Sequence, residues 1–344
     1  MDKVLTIVIP TYNMEALLSR CLDSLIVGDG LMQSLEVIVV NDGSKDRSSA
    51  IAHEYEARYP ATIKVIDKEN GNYGSCINRA LGVAAGKYFK ILDADDRYDT
   101  AALKEFIGFL SAVQSDIVFS PFKTLDFESH EITSLKPAEK YVGHTTNLDD
   151  VDWNESDIIR YRAMHAICVK TEVLRGNNYS QTEGISYTDT EFAFYSVLYS
   201  QSCSFFGRPI YLYYLGRDGQ TMSVTSMKKS HMHFYTNAKR MLDDYILLPE
   251  TTDAGKQKLL FCTVAGCVGF FAEVIYLYLG DSKKQQALLN GLIEESQKST
   301  VSCPLEEELL KRKYYQAYKC HHVPQPMLHG LWRLFSLLGF GRKG

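Results

Sequence analysis

The stretch that most constrains the fold of this chain is residues 87–99, where a short strand pattern ends in a cluster of aspartates. Residues 88–92 are β-forming and short enough for a buried parallel strand, and Asp93, Asp95 and Asp96 follow it. Ligands of open α/β sheets bind at the carboxyl ends of the strands. Because crowded carboxylates repel one another unless a cation or a proton neutralises them, this pattern favours a divalent metal site.

Helix capping is the structural alternative for an aspartate-rich segment. Asp99 and Thr100 stand directly before an apolar helical pattern at 101–113, so Asp99 is predicted to cap that helix. Asp93 and Asp95 precede the cap by about a full turn. Capping therefore does not explain them.

Strand and helix patterns alternate through the first third of the chain. The strand patterns are residues 5–10, 35–40, 62–66, 88–92 and 116–122. Such alternation predicts a doubly wound, mostly parallel α/β sheet. Polar segments end these strands and are expected to meet in one cleft at the carboxyl edge of the sheet. These segments are residues 11–13, 42–44, 70–75 and 93–96.

A further carboxylate, Asp189, lies in the first turn of a predicted helix. Asp189 is a candidate helix cap and a candidate catalytic base, two roles that do not exclude each other, and a helix dipole is expected to lower its pKa and weaken it as a base. Glu183 and Glu191 are the alternative bases. Arg217 follows a glycine in a short loop, where it is either an ordinary surface arginine or a phosphate ligand.

Composition excludes several classes of protein. The chain has 344 residues and a formal net charge of -5, which fits one large or two modest domains and argues against a nucleic-acid partner. Its 8 cysteines lack zinc-site spacing, and the segment 320–322 has no further ligands nearby. A strand pattern starts almost directly after Met1, so no signal peptide is predicted and a cytoplasmic location is expected.

Five segments, in this order, resemble the family 2 inverting glycosyltransferases of the GT-A fold. They are residues 6–13, 36–44, 70–74, 86–96 and 187–189. The resemblance covers roughly residues 4–220, and five ordered motifs are far more specific than one.

The resemblance implies a role for most of these polar segments. In the family, the exits of the first two strands hold the nucleotide base, usually uracil, and correspond here to Pro10, Thr11, Tyr12 and Asp42. The glycine-rich segment lies along the nucleotide and corresponds here to Asn72, Tyr73, Gly74, Ser75 and, on the following helix, Asn78.

The Asp-x-Asp motif of the family binds the ribose and a divalent metal, Mn2+ or Mg2+. It corresponds to Asp93, Ala94 and Asp95, with Asp95 as the metal ligand. Asp189 matches the second acid of a Glu-Asp pair that supplies the catalytic base, and Thr188 replaces the first acid.

A late loop that closes over the diphosphate in the family corresponds to Arg217 and Gln220. By the same resemblance, His165 is expected near the side of the cleft that binds the acceptor.

By this resemblance, the chain moves a sugar from a nucleotide-diphosphate sugar, usually a UDP-sugar, to a hydroxyl of a glycan or lipid-linked acceptor. Inversion in a single displacement needs one carboxylate base opposite the leaving group. The Gln-x-x-Arg-Trp motif of processive synthases is absent, so single additions are expected. Two alternatives are a catalytically silent nucleotide-sugar-binding scaffold, favoured by Thr188, and a dinucleotide oxidoreductase, disfavoured because no Gly-x-Gly-x-x-Gly follows the first strand.

The C-terminal third reads as helices, which gives predicted domains at 1–225 and 226–344. Residues 259–279 fit either a buried helix or a membrane span. From Leu309 onward the chain has 7 Lys and Arg residues and no acidic ones. The apolar face of the last helix either docks on the core or contacts a membrane surface peripherally. Its residues are Leu328, Leu331, Trp332, Phe335 and Leu338.

Overall fold

The computed structural model describes residues 3–126, 128, 130–216, 223–280 and 282–337. The chain forms two compact units, Met1–Arg217 and Asp218–Gly344. The predicted domain limits of 1–225 and 226–344 stay predictions.

The N-terminal unit contains two sheets. Its strands are β1 (Leu5–Thr11), β2 (Leu35–Asn41), β3 (Ile63–Asp67), β4 (Tyr88–Ile91), β5 (Arg97–Tyr98), β6 (Ile117–Phe119), β7 (Phe122–Asp126), β8 (Glu131–Ser134), β9 (Thr145–Asn147), β10 (Ile167–Lys170), β11 (Ser202–Phe205) and β12 (Tyr211–Leu215). The larger sheet has eight strands in the order β3-β2-β1-β4-β10-β6-β11-β9. The smaller one has the order β5-β12-β7-β8.

Four neighbouring strands, β3, β2, β1 and β4, form a parallel block in the larger sheet. Ile7 of β1 pairs with Val37 of β2 on one side and with Lys90 of β4 on the other. Nearly every side chain of β1 and β2 is buried, as expected for strands covered on both faces. The predicted α/β class with a mostly parallel sheet is confirmed, and the carboxyl ends of β1, β2 and β4 lie at one edge.

The predicted strand at 116–122 is in fact two strands in different sheets. β6 ends at Phe119 and β7 begins at Phe122, with Pro121 between them. Proline has no N–H to donate to a sheet ladder, so it marks the point where the chain leaves the first sheet for the second. β8 then pairs antiparallel with β7.

Seven helices are described in this unit: α1 (Leu18–Asp23), α2 (Asp29–Met32), α3 (Ser48–Arg58), α4 (Asn72–Val83), α5 (Thr100–Ala112), α6 (Thr171–Gly176) and α7 (Asp189–Tyr199). Asp99 caps α5 by accepting the Ala102 N–H at 2.9 Å, as predicted. α4 begins at Asn72, so part of the predicted glycine-rich loop forms its first turn.

The described part of the C-terminal unit is helical. Its helices are α8 (Val224–Lys229), α9 (His231–Ile246), α10 (Ala254–Glu273), α11 (Lys283–Ser296), α12 (Leu305–Leu310), α13 (Lys313–Cys320) and α14 (Gln325–Leu337), with a π-helical turn at Val274–Tyr278 after α10. Residues Ala254–Tyr278 are long and apolar enough to cross a membrane, but 83% of their most apolar window is buried inside the unit. A core helix has the same properties.

Part of the apolar face of α14 packs on this π-helical turn. The ring of Trp332 lies 4.7 Å from that of Tyr278, and Leu328 is buried. Leu331 is 40% exposed. The side chain of Phe335 and all of Leu338 lie outside the described structure, so peripheral membrane contact through this helix stays a prediction.

Candidate active site

The most buried carboxylate of the predicted cleft is Asp96, just beyond the end of β4. Its side chain is 1% exposed. The Tyr211 hydroxyl donates to one of its oxygens at 2.7 Å, and the Tyr214 backbone N–H donates to the other at 2.7 Å. Burial, together with the charges of Asp93 and Asp95, raises the pKa of Asp96 well above its usual value.

Asp93 connects the acidic cluster to helix α4. The hydroxyl of Tyr73, in the first turn of α4, donates to Asp93 Oδ1 at 2.7 Å. Burial raises the pKa of Asp93 to about 7, with further contributions from the charges of Asp95 and Asp189. Asp189 therefore lies close enough to Asp93 to affect its ionisation, although the two are far apart in the sequence.

The backbone of the Asp-x-Asp segment is held by an arginine that the sequence analysis did not single out. Arg20 of α1 donates to the carbonyl oxygen of Asp95 at 2.7 Å, and its guanidinium lies 4.2 Å from the centre of the Tyr214 ring. Ala94, between the two aspartates, is buried. An arginine on an amphipathic helix carries no sequence signal for this role, because the contact is formed only in the folded chain.

His165 lies beside the same carboxylates. One oxygen each of Asp93 and Asp96 and one imidazole nitrogen of His165 lie within 4.8 Å of one another. Burial, and secondarily the charge of Lys90, lowers the pKa of His165 to about 3. The imidazole is therefore neutral and able to bind a metal. A half-buried carboxylate, a buried carboxylate and a neutral imidazole are a donor set that fits a divalent metal ion.

Asp189 is the first residue of α7 and is half-buried. Its carboxylate accepts backbone N–H groups of its own turn, which lower its pKa, but burial raises the pKa more. The expectation that the helix start would lower the pKa of Asp189 is wrong, because desolvation of the carboxylate raises the pKa more than the helix start lowers it. Thr188 is fully buried and is held by the Gln181 side-chain amide, which donates to its hydroxyl oxygen at 2.9 Å and to its carbonyl at 2.8 Å.

The alternative bases lie beside this turn. Glu191 is buried and accepts the Thr182 N–H at 2.9 Å. Glu183 is exposed and accepts from the Asn78 amide at 2.8 Å. Glu191 therefore bonds the segment that precedes α7, whereas Glu183, which belongs to that segment, bonds α4.

The exits of β1 and β2 form a second part of the cleft. The Asp42 N–H donates to the Thr11 carbonyl at 2.8 Å, which joins the two strand ends. The buried Asp42 carboxylate forms an ion pair with Lys68 and accepts the Gly71 N–H at 2.9 Å. Tyr12 is 46% exposed. The ends of these two neighbouring strands thus carry an aromatic ring, Tyr12, and a hydrogen-bonded carboxylate, Asp42.

The comparisons with known proteins agree with this geometry. Residues 6–165 match the family model described as glycosyl transferase family 2. The N-terminal unit is a family 2 glycosyltransferase domain.

Two curated relatives share this family 2 domain. A poly(ribitol-phosphate) beta-glucosyltransferase of Bacillus spizizenii is 30% identical over 223 residues, which cover 64% of this chain and 33% of that protein. EpsJ of Bacillus subtilis, named an uncharacterized glycosyltransferase, is 36% identical over 118 residues, 34% of this chain and 33% of that protein. The matches thus span about a third of the length of each relative.

A solved structure shares the fold of the chain. The crystal structure of S. aureus TarS residues 1–349 in complex with UDP-GlcNAc superposes with a TM-score of 0.65. It is 18% identical, and the alignment covers 99% of this chain and 93% of that one. The GT-A-like fold of the family 2 domain, with a helical C-terminal region, is confirmed.

Not every predicted site residue of the family 2 domain is free for a ligand. The Asn78 amide donates to the Gln181 carbonyl at 2.9 Å and its oxygen accepts the Gln181 N–H at 2.8 Å. A Cβ on Gly74 would stand 2.0 Å from the carbonyl oxygen of Thr182. These two residues hold α4 against the segment that leads to Asp189, and their nucleotide contacts stay predictions.

Of the remaining predicted site residues, some lie in the described structure and some do not. Pro10 lies at the end of β1, and Asn72 begins α4 with a backbone φ of 64°. Arg217 and Gln220 lie outside the described residues. A positive φ at a residue other than glycine stores local strain, and Asn72 shares this feature with Tyr187, two residues before Asp189.

Proposed function

We propose that the family 2 domain transfers a sugar from a nucleotide-diphosphate sugar, a UDP-sugar, to a hydroxyl of a glycan or lipid-linked acceptor. The reaction is a single displacement with inversion, and Asp189 is the base. The observation that supports this proposal most is the contribution of the Asp189 charge to the raised pKa of Asp93, which indicates that the two carboxylates lie near each other. A transferase needs these two groups on either side of one anomeric carbon.

Asp189 suits the role of base because of its environment. Its pKa is raised by burial, so its carboxylate has more affinity for a proton than an exposed aspartate. It accepts the proton of the acceptor hydroxyl as that oxygen attacks the anomeric carbon. Its place on the first turn of α7 fixes the carboxylate, because backbone N–H groups of that turn bond to it.

The donor is held along the carboxyl edge of the sheet. Tyr12 and Asp42 contact the nucleotide base, with Pro10 and Thr11 shaping the exit of β1. Asp93 contacts the ribose, and Asp95 would hold a divalent metal, Mn2+ or Mg2+, which when bound would neutralise charge on the diphosphate leaving group. TarS, with the same fold, was crystallised with UDP-GlcNAc, which supports a UDP-sugar donor.

The acceptor is proposed to be a cell-envelope polymer or its lipid-linked precursor. The name of the Bacillus spizizenii relative, a poly(ribitol-phosphate) beta-glucosyltransferase, supports this class. Single additions are expected from the absence of the Gln-x-x-Arg-Trp motif. Because such acceptors are attached to or assembled at the membrane, we expect the protein to act in the cytoplasm at the inner face of the membrane.

A thermal-shift screen tests the donor. A ligand that binds only the native state raises Tm by mass action. We expect a UDP-sugar with Mn2+ to raise Tm, the same sugar with chelator to raise it less, and Asp95→Ala to lose the metal-dependent part. GDP-sugars and ADP-sugars are the matched controls. No shift with any nucleotide in wild-type protein would contradict the proposal.

One observation favours a catalytically silent nucleotide-sugar-binding scaffold. Thr188 stands where the family has a first acid, and Gln181 holds it in a buried position. A scaffold would bind the UDP-sugar in the screen but release no UDP from it under any condition. Slow UDP release that depends on Asp189 would exclude this alternative.

A further inference from the structure

We propose that Asp93, Asp96 and His165 together form a metal site with a nitrogen ligand, which prefers a first-row transition-metal ion such as Mn2+ over Mg2+. The inference deepens the proposed function, on which it rests, by adding a histidine and a third aspartate to the predicted Asp-x-Asp ligand. It concerns binding of the metal alone, so it can be tested without donor or acceptor.

The geometry of the three side chains carries the inference. Their ligand atoms lie within 4.8 Å of one another, although they come from the loop after β4 and from the turn at Met164–Ala166. Opposite ligands of an ion bound at about 2.1 Å stand about 4.2 Å apart, and adjacent ligands stand closer. Small inward movements of these side chains are therefore enough to place all three on one ion.

His165 has an unsatisfied nitrogen. Its Nδ1 atom is buried from solvent and has no hydrogen-bond partner within the described part of the chain. A buried polar atom without a partner destabilises the folded state, so native proteins rarely keep one without a use. A packed core histidine would instead donate or accept through its ring.

The imidazole is fixed in place by its surroundings. Its ring centre lies 4.4 Å from that of Tyr213, 4.7 Å from Tyr211 and 5.2 Å from Phe122. The buried Lys90 ammonium donates to the His165 carbonyl oxygen at 2.8 Å and fixes the backbone. Ligands held in this way need little ordering when an ion binds, which favours affinity.

The hydrogen-bond partners of Asp93 and Asp96 are uncharged groups. Asp93 accepts from the Tyr73 hydroxyl, and Asp96 accepts from the Tyr211 hydroxyl and the Tyr214 N–H, all of which are neutral donors. A carboxylate oxygen has lone pairs left after one such bond. A divalent cation would therefore add the charge that these hydrogen bonds lack.

The ligand set determines the preferred ion. Mg2+ binds oxygen ligands and keeps several waters, whereas imidazole is a ligand of transition metals. A site made only of Asp93 and Asp95 oxygens would accept either ion. Adding His165 favours Mn2+ or Co2+.

The test measures Mn2+ binding to the full chain without nucleotide. Free Mn2+ is counted by its EPR signal, and pulsed EPR detects a nitrogen nucleus bonded to the bound ion. We expect one tightly bound Mn2+ with a 14N coupling, displaced by Co2+ but not by a tenfold excess of Mg2+. His165→Phe keeps the ring packing, so we expect it to fold, to lose the coupling and to bind Mn2+ at least 10-fold more weakly.

Two controls make the result specific. His53→Asn removes a different histidine beside carboxylates, since His53 contacts Glu56 and Asp67, and it should keep both the coupling and the affinity. His165→Asn repeats the test if His165→Phe has a lowered Tm. Bound Mn2+ without 14N coupling in wild-type protein, or coupling that persists in both His165 variants, would overturn the inference. Nitrogen-coupled Mn2+ with no response to any UDP-sugar would instead count against the proposed function alone.

Discussion

The hydroxyl of Tyr73 donates a 2.7 Å hydrogen bond to Asp93 and thereby joins the first turn of α4 to the loop that follows β4. This bond favours the charged form of Asp93 against the effects of burial and of neighbouring carboxylates, which raise its pKa. Helix α4 and the acidic cluster are thus joined through the hydroxyl of Tyr73.

Removing that hydroxyl should weaken metal binding. In Tyr73→Phe the Asp93 carboxylate loses its donor, its pKa rises further, and protons compete better with the ion. We expect roughly 10-fold weaker Mn2+ binding at pH 6.5, from a lost charged hydrogen bond of about 1.5 kcal/mol, and a smaller defect at pH 8.5. Titration calorimetry at both pH values measures this. Tyr59→Phe, outside the cleft, is the control, and an equal defect at both pH values would contradict the explanation.

The metal-free protein should be more stable at pH 6.0 than at pH 7.5. Burial raises the pKa of Asp93 to about 7 and the pKa of Asp96 well above its usual value, so both lie above the pKa values of the unfolded chain. The native state therefore binds more protons in this window, and stability is lost as pH rises towards the folded-state pKa values. His165 acts in the opposite sense, because its pKa is lowered, but its unfolded pKa near 6.5 confines that effect to the acidic end.

Calorimetry with chelator measures this pH dependence. We expect Tm to fall by a few degrees between pH 6.0 and 7.5 in wild-type protein and by less in Asp93→Asn, which cannot ionise there. Saturating Mn2+ should remove most of the fall. A Tm that rises with pH in the presence of chelator would contradict raised pKa values for these carboxylates in the folded state.

Asp189→Asn should retain donor binding and lose chemistry. The amide keeps the shape of the side chain but cannot accept a proton, and a general base contributes about 100- to 10,000-fold in rate. UDP release from the donor, measured by a coupled assay, should fall by about that factor while the UDP-induced Tm shift is unchanged. Glu183→Gln is the matched control with an exposed carboxylate nearby. If that variant loses turnover and Asp189→Asn does not, the base lies elsewhere.

Gly74→Ala should destabilise the N-terminal domain. The added Cβ would stand 2.0 Å from the Thr182 carbonyl oxygen, so α4 or the 182 segment must shift. Overpacking of this kind costs about 1 to 3 kcal/mol. Gly82→Ala in the same helix has open space around its Cβ and should be neutral or stabilising, because alanine favours helix. Urea unfolding of both variants tests the pair, and equal stabilities would contradict the packing role.

Much of the fold was predictable because its signals are local. Short β-branched runs separated by amphipathic helices define a parallel α/β block, and its strand ends meet at one edge by topology alone. The sequence alone therefore predicts that Asp42, Asp93 and Asp95 lie in one cleft. The strand predicted at 116–122 was less accurate, because β6 and β7 belong to different sheets and periodicity does not report which sheet a strand joins.

The sequence by itself determined the fold class, the family resemblance and the acidic edge, since each depends on residue types at fixed spacing. Only the tertiary structure placed Arg20 on the Asp95 backbone, Lys68 on Asp42 and His165 beside Asp93, because these contacts join segments that no local pattern relates. It also reversed the expected pKa shift of Asp189. A helix dipole can be read from the sequence around one residue, whereas burial depends on every segment that packs over it.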